Sequence, residues 1–207
     1  MIILKRNKMK RILVLKACGN SGEPHECNGI CEQAELYQME HVCKNVRTNR
    51  GLKRILSHND QFDYIYLSAH GNSEGFCSED GKVDMTWEEM AEILCESGCM
   101  KDECILMLSC CRGGLLDVAY KMFFNCQKIC YVLGPRQNLA SVDMQICFGI
   151  FLYNMEVRSV DPVVACDKIR LATDQRFSCY DRQEESMNMD IYREMHYIDD
   201  TNSNPSV

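Results

Sequence analysis

Apolar residues in this chain fall into short runs separated by polar, Gly- or Pro-containing segments, and the runs alternate with stretches of helical period. Residues 11–16, RILVLK, read as a first strand that ends at the turn cluster 19–22. Residues 63–68, DYIYLS, are apolar and β-prone, a second strand closed by Ala69-His70-Gly71-Asn72. Residues 104–108 form a continuous apolar run with no period of its own, which is how a strand buried on both faces of a parallel sheet reads. A further strand is predicted over 128–133, stopped by Gly134-Pro135.

Helices are expected between these runs. Thr48 reads as the cap of a helix over 51–57, with Leu52, Ile55 and Leu56 on one face. Thr86-x-x-Glu89 is a capping box that opens a helix through about Cys95, ended by Gly98. Helices are also predicted over 115–124, over 141–157 with Ile146, Ile150, Tyr153 and Val157 along one stripe, and from Asp161-Pro162 to about Gln175. Asp80-Gly81 inside 74–85 signals a hairpin. Segment 23–46 is the least legible: Pro24 and Asn28-Gly29 break it early, and 30–46 fits a helix, a strand, or one then the other. From Tyr180 onward the chain is polar, and 201–207 are expected to be a mobile tail.

Strands alternating with helices imply a mostly parallel sheet with right-handed crossovers, an α/β sandwich with helices on both faces, here in a single domain over 1–200. No Gly-rich phosphate loop of either common spacing is present, so a nucleotide-binding reading has no support. A net charge of −7 and a pI near 5.3 argue against nucleic acid or an anionic membrane as the main partner. No run approaches the ~20 apolar residues of a membrane span. The start, MIILKRNKMKRILVLKACG, faintly mimics a signal peptide, but Lys16 interrupts its apolar run, and a cytoplasmic location is expected.

Fifteen cysteines admit a disulfide framework or free thiols, and the placing of Cys104, Cys130 and Cys147 inside apolar runs favours buried free thiols. The Cys-x3-Cys pairs 27/31, 95/99 and 126/130 have a spacing that could serve zinc but is also one helical turn, so no metal or cofactor is expected.

The candidate chemistry lies at two strand ends. Cys111 follows the 104–108 run, at the carboxyl end of a central strand and ahead of a helix, where open α/β sheets place their ligands. His70 follows 63–68. If those strands are neighbours, ~4.8 Å apart, imidazole and thiol can face each other. A free thiol is only a few per cent thiolate at neutral pH, so an imidazole base raises its reactive fraction and can later protonate a leaving amine. Gly71, which has no Cβ, brings its amide close to a substrate, and with the Cys111 amide it could form an oxyanion hole.

YLSAHGN followed 41 residues later by MLSCCRGG resembles the caspase-like cysteine peptidases. Against the caspase signature Gln-Ala-Cys-[Arg/Gln/Gly]-Gly, Cys111, Arg112 and Gly113 match, while Ser109 and Cys110 replace Gln and Ala. Ser109 is closer to the Ser-Ala-Cys of the bacterial CHAT branch, as are DGKVDMTWEEM, YVLGP and the IFLYNM helix; the resemblance covers about residues 10–175. It implies a caspase-like three-layer sandwich, Cys111 as nucleophile, His70 as base and acid, and Gly71 and Cys111 amides as oxyanion donors. It also implies a protein or peptide substrate, no metal or cofactor, and a place in antiphage or programmed-death systems, where cutting a defence effector activates it and a partner can switch the enzyme on. Arg136 stands near where caspases hold an acidic P1 side chain, but GPRQN equally fits an ordinary surface turn, which leaves an apolar or basic P1 open; Ser109 is a second candidate for substrate contact. Two other readings of the same residues are a silent caspase-like module that binds a partner peptide, and a cysteine-rich redox or metal sensor.

Overall fold

The computed structural model describes residues 9–58 and 60–193. A six-stranded sheet runs β2(Glu40–Asn45)–β1(Arg11–Lys16)–β3(Phe62–Ser68)–β7(Met100–Ser109)–β8(Tyr131–Pro135)–β9(Phe177–Asp181). All neighbours pair parallel except β8 with β9. A second sheet of three short antiparallel strands, β4(His70–Gly71), β5(Gly75–Cys77) and β6(Asp84–Thr86), rises from the end of β3. The Asp80-Gly81 turn lies between β5 and β6, as its sequence signal predicts.

The strands are apolar throughout because each face is covered. Leu13, Leu15, Ile65, Leu67, Leu106, Leu108 and Val132 pack on one side, against α2(Asn49–Leu56), α3(Trp87–Ser97) and α4(Leu116–Asn125). Ile12, Val14, Tyr64, Tyr66, Ile105, Met107 and Leu133 pack on the other, against α1(Glu23–Leu36), α5(Ser141–Glu156) and α6(Pro162–Thr173). This is the alternation of side-chain direction along a strand, and it produces the three-layer sandwich read from the sequence. Thr48 caps α2 by accepting from the Gly51 amide, Thr86 and Glu89 form both bonds of a capping box on α3, and Gly98 ends α3 at φ 66°.

Several expectations need correction. Pro24 does not break 23–46: it occupies the first turn of α1, where a missing N–H costs nothing. Gly29 is a contact residue inside that helix, since a Cβ there would stand 2.0 Å from Gln145 Nε2 of α5. Gly134 and Pro135 continue β8 instead of stopping it, paired with Ser178 and Phe177. The stripe Ile146, Tyr153, Val157 on α5 faces outward, and the helix buries Met144, Cys147, Phe148, Phe151 and Leu152 instead. After Thr173 the chain still contributes β9 and a helical segment over 186–193. The expected tail, 201–207, lies outside the described residues.

Candidate active site

The two chemistry-bearing strands are neighbours. β3 and β7 pair in register to their last residues, Ser68 opposite Ser109, and the ladder continues one step further with the Ala69 amide donating to Ser109 O at 3.3 Å. On the other side the Ala17 amide donates to Ser68 O at 2.9 Å, so the ends of β1, β3 and β7 form one continuous shelf at the carboxyl edge of the sheet.

From this shelf the chain turns in opposite ways. After β3, His70 and Gly71 pair with Cys77 and Phe76 in the small sheet, and His70 is exposed. The polar cluster 69–72 is therefore the first strand of a hairpin sheet, not a loop. That sheet is pinned by Trp87, fully buried, whose indole N–H donates to Asn72 O at 3.0 Å and whose ring stacks at 5.4 Å from Phe76. After β7 the chain makes a tight turn closed by Gly113 N–H to Cys110 O at 2.9 Å, with Arg112 at φ 63°, the left-handed region disfavoured for a side-chain-bearing residue. The turn is stitched to β8 and the loop behind it by Arg112 N–H to Gln137 O and Gly114 N–H to Pro135 O, at 3.3 and 2.8 Å. Helix α4 begins only at Leu116, so Cys111 sits in this turn and not at the helix entrance expected for it.

The two adjacent thiols occupy different environments. Cys110 is fully buried, its Sγ 3.7 Å from Leu67 O, and burial pushes its thiol well above the ordinary range. Cys111 is half-buried, its Sγ 3.8 Å from Leu139 O. Gly71 is packed against both: a Cβ on it would lie 2.7 Å from Cys110 Cβ and 3.0 Å from the Cys111 carbonyl oxygen. Only glycine lets the His70-Gly71 backbone touch the Cys110-Cys111 backbone this closely. The structure thus brings Gly71, and with it the backbone of His70, against the Cys110-Cys111 turn.

The other two candidates are placed differently. Ser109 is buried, with its hydroxyl donating to Glu26 Oε1 at 2.7 Å, so it faces the core beneath the shelf and is not available for substrate contact. Arg136 is exposed past β8, its amide bonded to Arg176 O at 2.8 Å. The next residue, Gln137, accepts from the Arg112 amide, so the Arg136 backbone adjoins the Cys111 turn.

Sequence reasoning missed two buried carboxylates of α1. Glu23 accepts from the Cys18 and Gly19 amides at 2.7 and 2.9 Å and fixes the β1–α1 turn. Glu26 lies under the shelf, where burial raises its pKa against the lowering effect of Ser109, Tyr66, Ser141 and Ser68. Their signal in the sequence was only acidic residues in a first helical turn, which the helix dipole alone explains. Among the described residues no group of three or more His, Cys, Asp or Glu side chains could hold a metal ion. The Cys-x3-Cys pairs are free thiols, and no described helix is long and apolar enough to cross a membrane.

The chain matches no family model and no curated protein. Among solved structures it is similar to a secreted C11 cysteine protease from Bacteroides thetaiotaomicron, "iotapain". The TM-score is 0.62 at 10% identity, over 86% of this chain and 67% of that one. The fold is that of the caspase-like sandwich. The likeness to that protease establishes the architecture; the CHAT-like features of the sequence are a separate matter.

Proposed function

We propose that this protein is a cysteine endopeptidase of caspase-like type with a Cys111–His70 dyad. The observation that carries the reading is the contact of Gly71 with the Cys110-Cys111 turn, which puts the backbone next to His70 against the segment that bears the half-buried thiol. In the first step His70 takes the Cys111 proton and Sγ attacks the scissile carbonyl carbon, whose oxygen gains the negative charge beside the Gly71 and Cys111 amides. Collapse breaks the C–N bond, and His70 returns the proton to the leaving amine. A water then gives its proton to His70 and attacks the thioester, releasing the acid and restoring the thiol. No cofactor enters this cycle.

Two finer assignments belong to the same reading. Arg136, one residue before the Gln137 carbonyl that holds the Cys111 turn, is the candidate partner of an acidic P1 side chain through charge-assisted hydrogen bonds. The Ser-x-Cys motif and the hairpin and helix after His70 support a CHAT-like peptidase that cuts a partner protein in a defence pathway. Cleavage profiling on a peptide library tests the core of the proposal. Turnover in the wild type that is lost in Cys111→Ala and nearly lost in His70→Ala supports it, whereas turnover surviving in Cys111→Ala overturns it. A P1 preference unchanged in Arg136→Ala removes the arginine from the assignment.

A further inference from the structure

The group left without a role in this cycle is Glu26, almost fully buried on α1. Burying a carboxylate is costly unless its oxygens are fully bonded, and an aliphatic residue would fill the same space without that cost. Its partners show what it does there. Ser109 Oγ and Tyr66 Oη both donate to Glu26 Oε1 at 2.7 Å, one from β7 and one from β3. The Ser68 and Ser141 side chains also act on the carboxylate and lower its pKa, and Ser141 Oγ at the start of α5 packs against Gly22 at the start of α1.

Three of these partners sit two positions from the site. Ser68 is two residues before His70, Ser109 two before Cys111, and Ser141 two after Leu139, whose carbonyl stands against the Cys111 thiol. Main-chain bonds join the first two segments through Ala69 N–H to Ser109 O, and join the Cys111 turn to the loop before Leu139 through Arg112 N–H to Gln137 O. Glu26 adds a side-chain link beneath these bonds, from α1 to β3 and β7.

We propose that Glu26 is a positioning residue, a buried tether that holds the segments bearing His70, Cys111 and the Leu139 carbonyl in one geometry. The inference rests on the peptidase reading of His70 and Cys111, and it extends that reading to a residue that touches neither. Because all four partners are hydroxyls, each can rotate to donate or accept, so the site needs acceptor geometry more than it needs charge. Glu26→Gln keeps the shape and one carbonyl oxygen, whereas Glu26→Ala removes the tether altogether.

The test measures kcat and KM on a cleaved peptide, the melting temperature, and the rate at which iodoacetamide modifies Cys111, read by mapping the modified peptide. Misplacement of catalytic groups by an ångström can cost about a hundredfold in rate. Glu26→Ala is accordingly expected to lower kcat by about thirtyfold or more with KM within about threefold. Glu26→Gln should restore kcat to within about fivefold of wild type. A destabilised control, Ile169→Ala on α6, should lose melting temperature while keeping kcat. Glu26→Ala with kcat no lower than this control overturns the proposal, as does failure of Gln to rescue.

If the wild type cleaves no peptide, the peptidase reading fails and the alkylation arm still decides. Slower Cys111 modification in Glu26→Ala, recovered in Glu26→Gln, upholds the tether, and equal rates overturn it. If Glu26→Ala does not fold, Ser109→Ala and Tyr66→Phe take its place. Each removes one bond to the carboxylate and should lower kcat or Cys111 reactivity about fivefold, and no change in both overturns the assignment.

Discussion

Adding one methyl group to Gly71 perturbs the site without removing any functional atom. In Gly71→Ala the new Cβ would stand 2.7 Å from Cys110 Cβ and 3.0 Å from the Cys111 carbonyl oxygen, against the 3.4 Å at which ordinary contact begins. One neighbour is backbone and the other is the stub of a fully buried side chain, so neither can rotate away. The His70 strand must therefore retreat from the Cys111 turn by about 0.7 Å, the shortfall at the closer contact. Overpacking of this kind costs about 1–3 kcal/mol, which in a chain of this size lowers Tm by roughly 2–12 °C. The chemical penalty should be larger. A shift of that order in the base and in one oxyanion amide is expected to cut kcat by about 10–100-fold. Peptide turnover, thermal unfolding and mapped alkylation of Cys111 measure the three consequences in one preparation. A Gly71→Ala protein with wild-type kcat would show that the His70 and Cys111 segments do not work as one site.

Other outcomes follow from the same geometry. Cys111→Ala should abolish turnover with Tm little changed, whereas Cys110→Ala, which deletes one buried sulfur, should keep most activity at a cost of about 1 kcal/mol; peptide assays and thermal melts check both. Cys43, half-buried on β2, will compete for alkylators: a hydrogen bond from Cys31, helped by Lys16, holds its thiol below the ordinary range, so it stays thiolate at pH values where a free cysteine is protonated. Its labelling rate, mapped from pH 5 to 9, should rise at lower pH than that of an ordinary thiol, and Cys31→Ala should move the profile upward; a profile indifferent to Cys31 would refute this. The active species should be one uncut chain, because Arg182 grips the α4–β8 connection through the carbonyls of Phe123, Cys126 and Ile129. Active material isolated as two fragments cut near 124–130 would disprove it.

The parts of the molecule legible in the sequence are those where one physical signal dominates. The 104–108 run, bounded by Ser109 and a Gly-rich turn, carries the signature of a doubly covered strand, and the Thr86–Glu89 box that of a helix start. Local rules misread the places where tertiary contact decides. Asn28-Gly29 resembles a turn, yet Gly29 is small because α5 presses on it. α5 is apolar on both sides, so periodicity picked its outer stripe. β9 is short, only partly buried and antiparallel at the sheet edge, so it lacks the apolar run that marks a central strand. Of the proposed site, His70, Gly71 and Cys111 could be named because the chemistry sought restricts residue type at strand ends. Glu26 could not, since nothing near it in sequence hints at partners as far away as Ser109 and Ser141.

His70 and Cys111 ride on different bodies. The cysteine turn is fastened to the large sheet through Pro135 and Gln137, while the histidine opens a small sheet that leaves β3 at Ala69 and is anchored in the core by Phe76, Val83, Met85 and Trp87. The spacing of His70 and Cys111 is therefore set by how two separately built sheets pack, with Gly71 as the seam between them. A substitution deep in the hairpin's own packing, at Trp87 for example, would reach the cleft through that seam without touching either residue.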